Sequence, residues 1–269
     1  MYPYPVFLGL TIYDLLLCLG IVLCFVLFGH FADKYRIKRS IQNFAIMCGV
    51  AAVVLGYGSA VLFQAFYNIG TLGRFEITES TGATFYGGLI GGVAVFLALY
   101  FGLGTLRRDK RELAPAFFPI ANCAVSGIAL AHSLGRIGCL TSGCCHGDLT
   151  DAWYGIEMHG NFGFAKYVPV QLFEAIFLAA LFGCLVLRAR AKKGYVLPIY
   201  LIAYGVWRFF AEFLRRDYRG TTIVSYLSPS QLTAIILVGV GVGVIFLERY
   251  LNKYFASREV NDSTEAVHK

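Results

Sequence analysis

TFYGGLIGGVAVFLALYFGLG, residues Thr84–Gly104, runs straight into TLRRDKRE, Thr105–Glu112, and this junction decides the class of fold. The first piece carries no charge and, at about 1.5 Å of rise per residue, is long enough as a helix to cross a hydrocarbon core of about 30 Å. The second sets Arg107, Arg108, Lys110 and Arg111 beside its end, the signature of a cytoplasmic loop. Comparable apolar stretches lie at about Thr11–Phe28, Phe44–Tyr67, Pro115–Leu134, Pro169–Leu187, Val196–Leu214 and Pro229–Leu247. The chain therefore reads as all-α, a polytopic membrane protein with seven transmembrane helices.

Composition agrees. Of 269 residues, 58% are apolar and 14% charged, where a soluble domain carries about 25% charged residues. Too little polar surface is available for a soluble globule, whereas a bundle in lipid needs apolar surface all round. Seven spans leave only short loops, so residues 1–255 are expected to form one membrane domain. The polar stretch ASREVNDSTEAVHK, 256–269, is expected to be a disordered cytoplasmic tail. MYPYPVFLGL has no basic n-region and Asp14 interrupts the first apolar run, so the first span is expected to be kept rather than cleaved.

Sixteen of the 23 Lys and Arg fall after the first, third, fifth and seventh spans. The positive-inside rule makes those segments cytoplasmic and puts the N-terminus outside. The net charge of +7 is then a topology signal beside anionic lipid and calls for no nucleic-acid partner.

Arg74, Arg136, Lys166, Arg208, Arg215, Arg216 and Arg219 do not follow that rule and need a chemical reason. Arg208 lies within the sixth span, where an ionisable residue is a functional-site hypothesis by default. Tyr204, Arg208, Glu212 and Arg215 are spaced to share an arc of about 80° on one helix face. A structural Arg208–Glu212 pair that only packs helices is the competing account. Tyr13 and Asp14, Gln171 and Glu174, and Ser228, Ser230 and Gln231 bring further polar groups to the outer ends of three other spans. In the third span, Gly87, Gly88, Gly91 and Gly92 form a close-packing pattern that, with Tyr86 at its entrance, would also admit a lipid head group.

AHSLGRIGCLTSGCCHG, Ala131–Gly147, leads into an outer loop expected over Gly135–Val168. Gly135 and Gly138 flank Arg136, allowing close approach of an anion to a guanidinium fork suited to phosphate. A phosphate-bearing ligand at the outer leaflet follows, and phospholipid is the abundant candidate.

These residues resemble the bacterial prolipoprotein diacylglyceryl transferases. FYGGLIGG (Phe85–Gly92) is similar to that family's HGG-containing third-span motif, and LGRIGC (Leu134–Cys139) resembles the start of its GRxGNFxNxE signature. PVQLFEA (Pro169–Ala175) resembles PSQLYE, and YGVWRFFAEFLRRD (Tyr204–Asp217) resembles YGxxRFxxEFxR. SPSQL (Ser228–Leu232) is similar to SMGQ, and Tyr13 falls at the first-span tyrosine.

The resemblance implies an enzyme of the bacterial plasma (inner) membrane with its site facing the outer leaflet. Its partners would be phosphatidylglycerol, preprolipoprotein substrates and membrane lipid. It would move a diacylglyceryl group from phosphatidylglycerol to the thiol of a lipobox cysteine and release glycerol phosphate. Arg136 and Arg208 are expected to clamp the phosphate, Glu212 to orient Arg208, and Tyr13, Gln171, Glu174, Tyr204, Arg215 and Cys139 to shape the pocket. No metal or organic cofactor is required, and a monomer is expected.

The chain departs from the family pattern in two places. Tyr86 stands where the family has the histidine assigned to proton handling, and a phenol of pKa about 10 is a poor base. His132 and His146 are the candidate substitutes. Cys139, Ser142 and Cys144 stand where the signature has Asn, Asn and Glu. With Cys145, the cysteines read best as a disulfide from Cys139 to Cys144 or Cys145 in an oxidising compartment. C-x4-C-C-H lacks a second C-x2-C pair, and neighbouring cysteines suit one tetrahedral ion poorly. The alternatives to transfer are a phospholipid-binding relative with another acceptor or no turnover, and a thiol redox or metal-handling protein built on this loop.

Overall fold

In a computed structural model the apolar stretches are helices: α1 (Ile12–Lys34), α2 (Arg39–Leu72), α3 (Phe85–Leu97), α4 (Lys110–Ser142), α5 (Val170–Arg190), α6 (Val196–Ala211) and α7 (Pro229–Val267). The structure describes residues 4–72, 75, 77, 85–160, 163–215 and 227–267, without the side chains of 67, 70–72, 85–86, 160 and 259–267. Arg74, Arg216 and Arg219 lie outside the described residues. Among the described residues, seven helical segments are long and apolar enough to cross a membrane. The chain is an all-α polytopic membrane protein.

Two compact units are present: Met1–Tyr35 with Ala121–Lys269, and Arg36–Ile120. In the second, α3 passes through a π-helical turn, Ala98–Gly102, and a 3-10 turn, Leu103–Leu106. Its glycine face is filled by α2. A Cβ on Gly87 would meet Phe63 Cβ at 2.6 Å, one on Gly88 Ala60 Cβ at 3.3 Å, and one on Gly91 the Ser59 side chain. Ser59 Oγ also donates to Gly87 O at 3.0 Å. Close packing, the plainer of the two expectations for these glycines, accounts for Gly87 and Gly88. Tyr100 is buried between Phe44 and Phe96 and donates to Leu113 O at 2.9 Å. At this unit's basic end, Asp109 pairs with Arg107 at 2.8 Å and accepts from Ser40 Oγ at 2.6 Å. These contacts hold its carboxyl well below the usual carboxylate range, the Arg107 hydrogen bond contributing most.

The first unit holds α1, the C-terminal part of α4, and α5 to α7. Thr11 and Asp14 open α1 as a capping box: Asp14 N–H donates to Thr11 Oγ1 at 3.2 Å and Thr11 N–H to Asp14 Oδ2 at 2.9 Å. That pairing uses the Asp14 carboxylate as a cap. Ser228 and Gln231 cap α7 in the same way, with Pro229 in the first turn. The N-terminus of α6 is served from a distance. The Tyr195 N–H donates to Glu248 Oε1 at 3.1 Å and the Leu197 N–H to Asn122 Oδ1 at 2.9 Å, while Asn122 Nδ2 donates to Glu248 Oε1. Val125 and Ala129 of α4, Leu181 and Leu185 of α5 and Val196 of α6 form an apolar cluster. Phe177 stacks on Trp207 at 4.6 Å.

Three boundaries differ from expectation. Helix α4 continues to Ser142, so Arg136 and Cys139 sit on its last turns, not in a loop. Helix α6 tightens into a 3-10 turn, Glu212–Leu214, in which Arg215 N–H donates to Glu212 O. Helix α7 runs past Leu247, the expected end of the span, to Val267. Between α4 and α5 lies an antiparallel hairpin, β1 (Ile156–Gly160) and β2 (Gly163–Tyr167), in register from Ile156↔Tyr167 to Gly160↔Gly163. Gly147 ties its base to the bundle. Its N–H donates to Val168 O at 2.8 Å, and a Cβ there would come within 2.5 Å of Leu214 O, which leaves room for glycine alone.

Candidate active site

Glu174, one turn into α5, is 1% exposed and gathers three helices. Its Oε1 accepts from the Tyr204 hydroxyl at 2.7 Å and lies 3.1 Å from Arg136 Nε and 3.8 Å from His132 Nε2. His132 Nδ1 meets the Tyr200 hydroxyl at 3.0 Å, and its ring sits edge-on to Tyr204. His132, Arg136 and Cys139 are spaced four and three residues apart on α4, so they share the face that meets α5 and α6.

Arg208, one turn beyond Tyr204, is buried. Its Nη2 donates to Glu212 Oε2 and Ser230 Oγ, both at 2.9 Å, and Ser228 Oγ donates to Glu212 Oε1 at 2.9 Å. The start of α7 thus holds the carboxylate that holds the guanidinium. Arg208 Nη1, Glu174 Oε2 and Gln171 Oε1 are shielded from solvent with no hydrogen-bond partner among the described residues. Such groups cost on the order of 1–3 kcal/mol each when left unsatisfied. Arg136 shares Glu174 with Tyr204, and Arg208 lies one turn beyond Tyr204 on α6, so the two arginines flank the same residues. Arg136, Arg208 and Arg215 face Glu174 and Glu212, an excess of one positive charge among these five residues.

Beside Arg136 the two glycines differ. A Cβ on Gly138 would strike Tyr13, 2.7 Å from its ring and 3.2 Å from its Cα, so glycine lets α1 close on α4. A Cβ on Gly135 would meet nothing within 4 Å.

The cysteines depart from the disulfide expectation: Cys139, Cys144 and Cys145 are free thiols whose Sγ atoms all lie within 4.8 Å of one another. Gly143 and Cys145 are left-handed, with φ of +73° and +62°, folding the chain back over the end of α4. Gln171 Nε2 donates to Cys144 O at 3.1 Å and Arg215 Nη1 to Cys145 O at 2.9 Å. Gln171 and Arg215 therefore position the cysteine turn. The expected Arg215 helix face fails because the 3-10 turn swings this residue toward the loop. The adjoining Cys139 and Cys144 thiols, with Arg215 and Arg136 nearby, hold the Cys145 thiol below its usual range.

His146 Nδ1 donates to Gly147 O at 2.8 Å and its ring packs on Tyr167, which makes it a support of the hairpin base. Tyr86 is in the first turn of α3, and its side chain lies outside the described residues. Tyr200 is the site neighbour that sequence reading missed. Its spacing of four from Tyr204 was the available signal.

A family model described as prolipoprotein diacylglyceryl transferase matches residues 5–247. A phosphatidylglycerol-prolipoprotein diacylglyceryl transferase of Clostridium tetani is 33% identical over 253 residues, covering 90% of this chain and 95% of that protein. The similarly named protein of Clostridioides difficile is 28% identical over 245 residues, with 90% of each chain covered. A second-numbered one of Clostridium perfringens is 39% identical over 166 residues, 59% of each chain. With a family model matching residues 5–247 and a relative 33% identical across 90% of its length, this chain belongs to the prolipoprotein diacylglyceryl transferase family.

Proposed function

We propose that this chain transfers the diacylglyceryl group of phosphatidylglycerol to the thiol of a prolipoprotein lipobox cysteine, releasing glycerol phosphate. The observation that carries the reading is the unpartnered Nη1 of Arg208, on a guanidinium whose other arm is held by Glu212 and Ser230. In this reaction the thiolate attacks the glyceryl carbon and the C–O bond breaks with its electron pair on the phosphate. The leaving phosphate gains negative charge, and a preset donor stabilises it most where that charge develops. Arg208 fills this role, and Arg136, set by Glu174, is the second clamp. Tyr13, Tyr204 and the space beside Gly135 receive the glycerol and head group.

The distribution of basic segments supports a site at the outer leaflet of the bacterial plasma membrane, with the N-terminus outside and residues 256–269 in the cytoplasm. The enzyme acts as a monomer. Tyr86 and His132 are the groups proposed to handle the thiol proton, Tyr86 on its place in FYGGLIGG alone.

The test is turnover by the purified protein with phosphatidylglycerol micelles and a lipobox peptide, following glycerol phosphate and peptide mass together. The expected product is a thioether-linked diacylglyceryl peptide in step with glycerol phosphate. Lipid binding with neither product would sink the reading and favour a relative without turnover.

A further inference from the structure

Cys139, Cys144 and Cys145 have no part in clamping phosphate, and their arrangement is costly to build. A non-glycine residue in the left-handed region costs on the order of 1 kcal/mol or more, and Cys145 adopts it at φ +62°. Two anchors from separate elements hold the result, Gln171 on the Cys144 carbonyl and Arg215 on the Cys145 carbonyl. The outcome is three sulfurs, all within 4.8 Å of one another, at the end of α4. Around a tetrahedral zinc ion with Zn–S of about 2.3 Å, sulfurs stand about 3.8 Å apart, so shifts of about an ångström would close the triangle. The left-handed turn answers the usual objection to neighbouring cysteines, because it reverses the chain between the two side chains.

We propose that these three cysteines bind one zinc ion and that its fourth position receives the acceptor thiol. Three protein ligands with an open position are the pattern of catalytic zinc, where structural sites are closed by four. Cys144 is exposed, which gives the position an entry route. Three thiolates and a divalent ion leave one negative charge, opposed by Arg136 one turn back on α4 and by Arg215 on the Cys145 carbonyl. Those two arginines and the carbonyl anchors form the outer shell that such sites need.

This inference rests on the transfer reading and deepens it. The acceptor thiol, with a pKa of about 8.5, is mostly protonated at neutral pH, and Tyr86 is a weak base. On a metal the thiol is deprotonated. Its proton leaves on binding, to the proton-handling groups proposed above and on to water, and the sulfur keeps the electron pair that forms the C–S bond as the C–O bond breaks toward phosphate. Cys139 lies three residues, about 4.5 Å of rise, beyond Arg136, so nucleophile and leaving group are held at one end of the bundle.

The experiment uses the full chain in detergent, purified under reductant without chelator. Elemental analysis is expected to find about one zinc per chain, lost in Cys144→Ser, whose exposed position spares the fold. With Co2+ in place of zinc, the thiolate-to-cobalt charge-transfer absorption should rise when a lipobox peptide is added and stay constant with its Cys→Ser analogue. Chelation should lower transfer about tenfold at pH 7, the gain expected from a largely ionised thiol, and zinc should restore it. Absence of bound metal, a disulfide between two of the three thiols, or a cobalt spectrum indifferent to the cysteine peptide would overturn the proposal. Arg208→Ala separates the two readings. It should abolish transfer while leaving zinc content and the peptide-induced absorption intact, and a wild-type protein with both signals but no transfer counts against the transferase reading alone.

Discussion

The Tyr204 hydroxyl and Arg136 Nε converge on one oxygen, Glu174 Oε1, at 2.7 and 3.1 Å. A carboxylate 1% exposed thereby fixes a phenol on α6 and a guanidinium on α4, and its second oxygen is left unsatisfied. Burying a charge is tolerated only where it is paired, so this pairing is also what holds the ends of three helices together.

Glu174→Ala should therefore damage both stability and turnover. Removing one partner of a buried pair costs about 3–5 kcal/mol, to be read as a lower thermal midpoint in detergent. Glu174→Gln keeps the volume and an acceptor for Tyr204, so it should fold and lose turnover mainly through a misplaced Arg136. If Glu174→Gln transfers at the wild-type rate, Arg136 does not need this carboxylate.

For Arg208 the informative variant is lysine. Its ammonium keeps the charge but cannot hold Glu212 and Ser230 with one arm while offering the other. Transfer by Arg208→Lys is expected to fall about a hundredfold, in the range seen on removing one transition-state donor, with kcat affected more than KM. A change confined to KM would reduce Arg208 to lipid binding.

The two glycines beside Arg136 should separate cleanly. Gly138→Ala drives a methyl into Tyr13 and is expected to destabilise by about 1–3 kcal/mol, as overpacking does. Gly135→Ala meets no atom within 4 Å and should leave the thermal midpoint unchanged or raised, since alanine favours helix by about 1 kcal/mol. A fall in lipid affinity for Gly135→Ala at full stability would mark that space as the lipid's.

At Tyr86 the expected outcome runs the other way. Tyr86→His installs a group that titrates near neutrality, and transfer should be preserved or raised. Complete loss of activity would give the phenol a role of its own, and the pH profile of the variant would show which group carries the proton.

Seven spans were legible in the chain because lipid demands an unbroken apolar run wherever backbone crosses it, a signal local to each stretch. Glu174, Arg208 and Glu212 stood out because charge inside such runs is costly enough to need a reason, Tyr204 by its helical spacing from Arg208, and Arg136 by its flanking glycines. Partners were less so. Reading residues one helix at a time paired Arg208 with Glu212 correctly but could not pair Arg136 with Glu174, 38 positions away, since nothing local links them. Only the packed bundle decided that Gly138 makes room for Tyr13 while Gly135 leaves space open, and that Gly87 and Gly88 pack on α2. It also decided the cysteines: in sequence C-x4-C-C suggests a disulfide, yet a left-handed Cys145, anchored by Arg215 from beyond α6, gathers three free thiols into one cluster. Spans follow from the solvent each stretch meets, whereas a site follows from which helices touch, and that depends on side-chain shape across the whole unit.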